Sequence, residues 1–484
     1  MIRATLDQIA RWAEGRLAPN VDGALPVAGV GTDTRADLGG RLFIALQGPT
    51  FDAHDFITQA GQRGAVAAMV EREQPDCDLP QVIVDDTLAA MRRLARGWRE
   101  AVDPTVIGIT GSSGKTTVKE LLAAMLEQIG PTASTRGNLN NEIGVPLTLL
   151  DWAPETQYAV VEMGANHVGE IARLTELATP DIVVVTMAGR AHVGEFGSVE
   201  RIIEAKGEIY RHRPASARAL VNLDSNGSDQ WLKAAPQADT FTLDRSHGDW
   251  ATWLGGYNED RHDLSISEHG RALFDRLDVP LPGAHNAVNL LAAIGLARLA
   301  GASAETIAAG LAGFRPPAGR MALVSLSNGW RLIDDSYNAN PESMRAAVGY
   351  LAGQPGARFA VLGSMGELGD ETETLHRQLG EFAAGQELDG IVAAGPGASA
   401  LAAGFKTAGG AAGLLDVVEG SETATMALLK RLSARDGQAV TVLLKGSRFM
   451  HIERVGKALE RKFGIAPGTG NITTGRGRDA ALAD

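Results

Sequence analysis

A strand that runs directly into a glycine-rich turn and a helix constrains this chain more than any other feature. Residues 106–109 are aliphatic or small, as in a buried parallel strand, and residues 118–129 repeat apolar side chains at helical spacing. In such a unit the backbone N–H groups and the helix N-terminus surround a phosphate, the lysine of the turn faces the outer phosphates, and a threonine hydroxyl reaches bound Mg²⁺. The sequence therefore predicts an α/β fold that binds a nucleoside triphosphate through Gly111, Ser112, Ser113, Gly114, Lys115, Thr116 and Thr117.

The turn is shorter than the usual phosphate-binding pattern, because Ile109 stands where that pattern has its first glycine. A glycine-rich strand-to-helix turn with a solvated lysine is the alternative interpretation. The flanking strand and helix favour phosphate binding over this alternative.

The totals limit the class of protein. A chain of 484 residues exceeds one hydrophobic core, so about two to four domains are expected. No apolar run is long enough to span a membrane, and no secretory signal is visible. The single Cys77 excludes an internal disulfide, and the net charge of −13 argues against nucleic acid as a partner. We expect a cytoplasmic monomer that neither binds nucleic acid nor crosses a membrane.

Strand and helix patterns divide the chain into three α/β regions and a tail. Residues 1–103 predict a small N-terminal α/β domain, 104–314 a central parallel-sheet domain with the phosphate loop, and 315–465 a C-terminal Rossmann-like α/β domain; 466–484 are expected to be a disordered tail. The predicted strands lie at 41–46, 65–70, 81–86, 158–162, 182–186, 330–334, 359–363, 390–394 and 439–444, and the predicted helices at 87–99, 198–210 and 285–300. Residues 241–281 are too irregular to assign.

Three side chains stand where a metal could bind, because ligands of open α/β sheets lie beyond the carboxyl ends of the strands. Glu162 ends a strand and is either a Mg²⁺ ligand or an ordinary solvated carboxylate. His192 follows the next strand and is either a metal or phosphate ligand or a hydrogen-bonded loop histidine. Lys206 shares a helix face with isoleucines at 202, 203 and 209, so it must reach water, pair, or react with CO₂ to form a metal-binding carbamate. The residues alone do not select among these.

Polar residues at a helix start and at a domain junction are further candidates. His285, Asn286 and Asn289 open a predicted helix, where the amides either cap it or contact a ribose or adenine. Arg320 either forms a salt bridge or meets transition-state phosphate charge as an arginine finger does. The polar turn at 335–341 is either an Asx-rich turn or part of the site.

Taken together, these segments resemble the Mur ligases, the ATP-dependent amide-forming enzymes of peptidoglycan precursor synthesis. Residues 110–117, TGSSGKTT, are similar to the shortened phosphate loop of that family. Residues 137–146, 334–341 and 444–448 resemble the members that attach D-alanyl-D-alanine to UDP-N-acetylmuramoyl-tripeptide, and 361–369 with His376 agree. The resemblance covers about residues 25 to 455.

The resemblance implies a role for each matching residue. Lys115, His192, Lys206 and Arg320 would be catalytic; Thr116 and Glu162 would bind one Mg²⁺, and His192 with a carbamylated Lys206 a second. The residues implied at ATP and at the substrates are His285, Asn286 and Asn289 at adenosine; Arg320 and Asp335 closing the nucleotide site; Thr34 and Arg35 at the uridine end; Asn138 and Asn141 at the muramoyl group; Asn338 and Asn340 in the polar turn; and Lys445, Ser447 and Arg448 near the dipeptide.

The reaction implied by the resemblance uses ATP and two Mg²⁺ ions. The γ-phosphoryl group goes to the tripeptide carboxylate, the amine of D-alanyl-D-alanine attacks the acyl phosphate, and domain closure assembles the site. The base that deprotonates the amine is not identified, although His192 is a candidate if it binds no metal. Two alternatives stay open: another amide ligase of the same architecture, such as a folylpolyglutamate synthase or a different murein ligase, and a phosphate-loop ATPase or switch without an acceptor.

Overall fold

The computed structural model describes residues 1–48 and 50–467, which form three α/β domains in chain order. Residues 468–484, which hold nearly all of the expected tail, lie outside the described part of the chain.

The N-terminal domain is a small α/β unit. Its elements are β1 Arg3–Thr5, α1 Leu6–Ala13, β2 Arg16–Leu17, β3 Pro26–Ala28, β4 Val30–Gly31, β5 Leu42–Ile44, a 3₁₀ turn at Ala53–Phe56, α2 Ile57–Gln62, β6 Ala67–Val70, β7 Gln81–Ile83 and α3 Thr87–Val102. The sheet has the order β2-β7-β6-β5-β4, parallel from β4 to β7, and β1 pairs with β3 in a separate ribbon.

The middle domain carries the phosphate loop on a larger sheet. Its elements are β8 Thr105–Thr110, α4 Lys115–Leu126, β9 Thr132–Ser134, α5 Gly144–Leu150, β10 Tyr158–Glu162, α6 Glu170–Ala178, β11 Ile182–Val185, α7 Val193–Phe196, α8 Val199–Lys206, α9 Glu208–Arg211, β12 Arg218–Asn222, α10 Ser228–Ala234, β13 Asp239–Thr242, a 3₁₀ turn at Arg245–Trp250, β14 Trp253–Asn258, β15 Asp263–Glu268, β16 Arg271–Asp278, α11 Ala284–Leu299 and α12 Ala304–Ala312. The sheet order is β16-β15-β14-β13-β12-β11-β8-β10-β9, antiparallel only among β14, β15 and β16.

The C-terminal domain has a six-stranded sheet. Its elements are β17 Ala322–Ser325, β18 Arg331–Asp335, α13 Pro341–Ala352, β19 Ala357–Gly363, a 3₁₀ turn at Gly369–Glu371, α14 Thr372–Ala384, β20 Gly390–Ala394, α15 Ala398–Thr407, a 3₁₀ turn at Ala412–Leu414, β21 Leu415–Val418, α16 Ser421–Leu432, β22 Val440–Lys445, a 3₁₀ turn at Arg448–Met450 and α17 Glu453–Phe463. The order is β17-β18-β22-β19-β20-β21, and only β17 is antiparallel.

The position of β8 in its sheet determines where a ligand can bind. Val106, Ile107 and Ile109 are fully buried, as expected for a parallel strand covered on both faces. From β8 the chain goes to β9 and β10 on one side of β8, and then crosses to β11 on the other side. The phosphate loop therefore opens at a topological switch point of the sheet. In the register, Glu162 lies opposite Ile109 and Val185 opposite Thr110, so the ends of β10 and β11 flank the loop.

One region that the sequence left unassigned has regular structure, and one predicted helix is wrong. The unassigned residues 241–281 contain the antiparallel β14–β16 meander, whose short alternating stretches fit an edge with one solvated face. The single helix predicted at 198–210 is two helices, because the chain tightens at Gly207. There the Tyr210 N–H bonds to the Gly207 carbonyl at 3.1 Å, and Trp231 packs so closely that a β-carbon on Gly207 would lie 2.9 Å from its ring.

The described helices include none that combines the length and apolar character of a membrane span.

Candidate active site

A cleft of about 1210 Å³ runs between the middle and C-terminal domains. The sequence-predicted residues that line it are Ser112, Ser113, Gly114, Lys115, Thr116, Thr117, Asn138, Asn141, Glu162, His192, Lys206, His285, Asn286, Asn289, Arg320, Asp335, Asn338, Asn340, Lys445, Ser447 and Arg448. Residues from nine separate stretches of chain therefore meet in one space.

The phosphate loop requires glycine at two positions. Gly111 has φ +146°, and a β-carbon there would lie 2.0 Å from the Thr186 hydroxyl. Gly114, the residue before α4, has φ +82°, and a β-carbon would lie 2.3 Å from the Asn289 side chain. The Lys115 ammonium donates to the Gly111 carbonyl at 2.6 Å, and its burial in the cleft lowers its pKa. The lysine is thus held over the loop that it is predicted to serve.

Glu162 is the centre of a buried polar network beside the loop. Its side chain accepts from the Thr116 hydroxyl and from the Asn140 amide, each at 2.9 Å. Burial favours a higher pKa for this carboxyl, but the nearby cations Lys119, Lys115 and Arg320 outweigh it and hold the pKa below its usual range. Glu162 is therefore an ionised, oriented carboxylate at the end of β10.

Arg320 connects the two domains at this network. Its guanidinium donates to the Thr116 hydroxyl at 3.0 Å and lies 4.3 Å over the Tyr337 ring. Arg448 lies 5.7 Å over the same ring. No salt bridge is found among the described contacts of Arg320. The guanidinium charge lies against the phosphate loop instead.

Lys206 is 1% exposed and faces the cleft from the end of α8. Its ammonium donates to the Ala165 carbonyl at 3.2 Å and lies 5.2 Å over the Phe196 ring. Burial first, and the charge of Lys115 second, lower its pKa to about 7. The side chain does not extend to water, so the alternative that Lys206 reaches solvent is wrong.

His192 lies in the loop after β11 and contacts the other domain. Its Nδ1 atom is 2.6 Å from a carboxylate oxygen of Glu367. Both residues have positive φ, +62° and +61° respectively, which is uncommon for side chains of this size. The ligand predicted from sequence thus has an interdomain partner that the sequence did not indicate.

The amides at the start of α11 bond to each other and to the backbone. Asn286 donates to the Pro282 carbonyl at 2.8 Å and accepts from Asn289 at 3.1 Å. The N-cap of α11 is Gly283, which has no side chain, so Asn286 is not the cap. His285 stands next to them, and burial lowers its pKa, which favours a neutral ring facing the cleft.

The side chains of the polar turn after β18 bond mostly to nearby backbone groups and to Lys445. Asn340 caps α13 by accepting from the Ser343 N–H at 2.8 Å, and Asn338 accepts from the next N–H at 2.8 Å. Asp335 holds the ammonium of Lys445 at 2.5 Å, and the Asn338 carbonyl holds it at 3.1 Å. Lys445 is only 2% exposed, and its ion pair with Asp335 fixes its ammonium beneath the turn.

Some functional candidates were missed or lie elsewhere. Asn140, which sequence reasoning did not single out, orients Glu162; Asn141, predicted at the muramoyl group, accepts from the Gly144 N–H at 2.8 Å at the start of α5. The three asparagines within residues 138–141 were the available signal, but the sequence does not show which of their amides faces Glu162. Thr34 and Arg35 do not line this cleft, and the Arg35 side chain is 81% exposed and paired with Asp33 at 2.8 Å.

The described residues contain no group of three histidine, cysteine or acidic side chains placed to hold a metal. The Thr116 and Glu162 oxygens instead suit Mg²⁺, which takes one or two protein ligands and completes its shell with water and phosphate.

Three family models match the chain in order: "Mur ligase family, catalytic domain" at 26–99, "Mur ligase middle domain" at 109–297 and "Mur ligase, glutamate ligase domain" at 319–448. The chain is 41% identical over 470 residues to UDP-N-acetylmuramoyl-tripeptide–D-alanyl-D-alanine ligase of Escherichia coli K12, covering 95% of this chain and 99% of that protein.

Solved structures agree with this similarity. A MurF from Acinetobacter baumannii has a TM-score of 0.87 at 35% identity, covering 95% of this chain and 99% of the other. A MurF ligase from Thermotoga maritima in complex with ADP has a TM-score of 0.76 at 28% identity, covering 90% and 98%. The matching domains, their order and these relatives place the chain in the Mur ligase family.

Proposed function

We propose that this protein joins D-alanyl-D-alanine to UDP-N-acetylmuramoyl-tripeptide in a reaction driven by ATP, giving UDP-muramoyl-pentapeptide, ADP and phosphate. The observation that carries the proposal is the 41% identity, over 95% of the chain, to a ligase of that name. The cleft supports it, since one space holds the phosphate loop and the polar segments of both domains.

The chemistry follows from the poor reactivity of a carboxylate, whose leaving group would be oxide. Transfer of the γ-phosphoryl group to the terminal carboxylate of the tripeptide breaks the bond to ADP and gives an acyl phosphate. The unprotonated amine of D-alanyl-D-alanine attacks that carbonyl carbon, a tetrahedral oxyanion forms, and phosphate leaves as the amide is made.

Lys115 and Arg320 are the cations proposed to stabilise the transferring phosphoryl group. Lys115 comes from the phosphate loop, and Arg320 reaches the same loop from the other domain. Because they belong to different domains, both act on one phosphate only when the cleft is closed, which excludes water from the acyl phosphate.

Mg²⁺ would be held by Thr116 and Glu162, whose oxygens already lie 2.9 Å apart. When bound, the ion offsets charge on the phosphates. His192 and Lys206 are proposed for a second ion, and Lys206 can serve only as an anion. Its neutral amine would add to CO₂ with loss of one proton, giving a carbamate carboxylate in the cleft.

The remaining predicted contacts are proposed for ATP and for the two substrates. His285, Asn286 and Asn289 are proposed at adenosine, with Asp335 closing the nucleotide site from the C-terminal domain and Lys445 near the dipeptide. Asn138, Asn141, Asn338, Asn340, Ser447 and Arg448 are proposed along the peptide substrates, and Thr34 and Arg35 at the uridine end. A cytoplasmic location and a monomeric state are kept as part of the proposal.

The test is phosphate release from ATP by the purified chain, with product identified by mass spectrometry. The expected result is release only when both UDP-muramoyl-tripeptide and D-alanyl-D-alanine are present, with one pentapeptide product per phosphate. Release without an acceptor would indicate an ATPase or switch. Release with glutamate or another amino acid in place of the dipeptide would indicate a different ligase of this architecture.

A further inference from the structure

Arg320 is carried on an unusual piece of backbone at the domain junction. Its two neighbours in the chain both have positive φ, +73° at Gly319 and +53° at Met321. Residues with a side chain rarely adopt this region, and a β-carbon on Gly319 would lie 2.8 Å from the Tyr337 nitrogen. Contacts elsewhere in the fold must therefore hold the backbone on both sides of the arginine.

Two adjacent carboxylates at the end of β18 supply those contacts. The Gly319 N–H donates to Asp334 at 3.0 Å, and the Met321 N–H donates to Asp335 at 3.2 Å. The Gly319 carbonyl in turn accepts from the Tyr337 N–H at 3.1 Å. The backbone before and after the arginine is thus fixed to the end of one strand.

Asp334 is the more deeply buried of the two acids, with an exposed fraction of only 1%. One of its oxygens accepts from the Gly319 N–H, and the other accepts from the Ser336 N–H at 3.2 Å and from the Ser336 hydroxyl at 2.5 Å. Burial raises its pKa to about 6, so the carboxylate is mostly ionised at neutral pH and accepts all three bonds. Because a buried charge is costly without such donors, the bond to Gly319 also stabilises the carboxylate.

The side chain that leaves this fixed backbone crosses to the other domain. The Arg320 guanidinium lies 4.3 Å over the Tyr337 ring and donates to the Thr116 hydroxyl at 3.0 Å. A planar guanidinium meets a phosphoryl group in a narrow range of orientations. A displacement of about 1 Å in such a group can lower a rate about 100-fold. The backbone anchor of this arginine is therefore expected to affect turnover.

We infer that Asp334 is a positioning residue for Arg320: by fixing the Gly319 N–H, it sets the backbone from which the guanidinium reaches the transferring phosphoryl group. Its effect on catalysis rests on the proposed function, whereas the fixing of the backbone does not. Asp335 differs in that it also holds the Lys445 ammonium. Asp334 acts only on the chain around the arginine.

The variant Asp334→Asn tests this role, with Asp389→Asn as the matched control. In Asp334→Asn the two Ser336 donors retain the remaining oxygen, so the new amide group faces the Gly319 N–H and that bond is lost. Asp389 accepts the Arg358 N–H at 2.9 Å in the same domain, but it is not among the described residues that line the cleft. For Asp334→Asn we expect kcat for ligation to fall about 10- to 100-fold with the KM for ATP unchanged. Asp389→Asn should match the wild type.

A double-mutant cycle separates positioning from a general loss of structure. In an Arg320→Ala background, Asp334→Asn should change kcat less than about twofold, because the group that it positions is already absent. The same fall in both backgrounds would overturn the role. Thermal unfolding of each variant checks the fold. If Asp334→Asn does not fold, Asp334→Ala takes its place in the cycle, since it leaves the Gly319 N–H unpaired without setting a second donor against it.

Hydrogen exchange gives a readout that does not depend on activity. The backbone amides of residues 318–322 should exchange at least about tenfold faster in Asp334→Asn than in the wild type or in Asp389→Asn. Unchanged exchange, or a kcat that falls no more than in Asp389→Asn, would overturn the role of Asp334. A wild type that makes no pentapeptide would reject the proposed function, while the exchange comparison would still decide whether Asp334 fixes this backbone.

Discussion

Lys206→Ala is expected to abolish ligation while the protein stays folded, because the role proposed for this residue needs a chemistry that alanine lacks. Lys206 is 1% exposed, and its ammonium has a carbonyl and an aromatic ring as described partners, but no carboxylate within ion-pair distance. Ala165 and Phe196 therefore stabilise a cation weakly, and the environment favours the neutral amine that CO₂ requires.

The lowered pKa of Lys206 also predicts how activity depends on pH. With the ordinary value of 10.5, about 0.03% of the amine would be neutral at pH 7, whereas the lowered pKa of about 7 makes about half of it neutral. At pH 6 the neutral fraction of Lys206 would be about a tenth. If carbamate formation limits turnover, activity should therefore fall about fivefold between pH 7 and pH 6 at constant dissolved CO₂.

The assay combines ¹³C NMR with chemical rescue. Protein equilibrated with ¹³C-bicarbonate should show one carbamate carbon that Lys206→Ala lacks, and a short-chain carboxylate such as acetate should restore part of the activity to that variant. Lys206→Met, which keeps the length of the side chain without the amine, should be inactive and should show no carbamate signal. A fully active Lys206→Ala, or an active wild type without the carbamate signal, would refute the reasoning.

The same pKa has a consequence for stability in the protein without ligands. Between pH 7 and 10.5 the unfolded chain binds more protons at Lys206 than the folded chain, so the free energy of unfolding rises with pH in that window. The penalty for burying the charge is fully present below about pH 7. Urea unfolding should therefore show Lys206→Met gaining most over the wild type at pH 6 and least at pH 10; an equal difference at both would contradict the lowered pKa.

The remaining predictions concern the cations and the amide around the loop. Lys115→Ala should lower kcat for ligation at least about 100-fold with thermal unfolding unchanged, and retention of most activity would exclude a role on the phosphate. Arg320→Ala should lower kcat about 1000-fold, and Arg320→Lys should recover little activity, since lysine lacks the planar guanidinium group. Stopped-flow phosphate release measures both variants. Full recovery by lysine would show that Arg320 acts through its charge alone. Asn140→Ala should raise the Mg²⁺ concentration for half-maximal activity about 10- to 100-fold, because Glu162 loses the amide that orients it. Asn138→Ala is the control. Equal effects of the two variants would show that Asn140 does not orient Glu162 for the metal.

Patterns that depend on neighbours in the chain were predicted well. Strand 158–162 has the same limits in the structure, and the helix predicted at 285–300 runs from Ala284 to Leu299. Both patterns reflect burial on a regular element, which the order of residues records directly. Ser198, where the sequence placed the start of a helix, caps α8 with its hydroxyl accepting from the Arg201 N–H at 3.3 Å.

Predictions failed where a distant contact decided the outcome. Nothing near Gly207 in the chain indicates that Trp231 will pack on it and end the helix. The place of Lys445 near the dipeptide stays a prediction, but its ion pair with Asp335 was not foreseen, because only the turn after β18 brings that carboxylate to the buried ammonium. Lys206 was left open between water, pairing and modification because its neighbours Ala165 and Phe196 lie outside its own helix.

The sequence by itself determined the phosphate loop, the alternation of strands and helices and the family, because each is written in residues that are close in the chain. Only the tertiary structure decided that Asn140 turns Glu162, that Arg320 lies on Thr116, and that Glu367 meets His192. These contacts join residues 22, 204 and 175 positions apart in the printed sequence. Hydrogen bonds and ion pairs act over a few ångströms, and only the packing of whole domains brings such groups within that range.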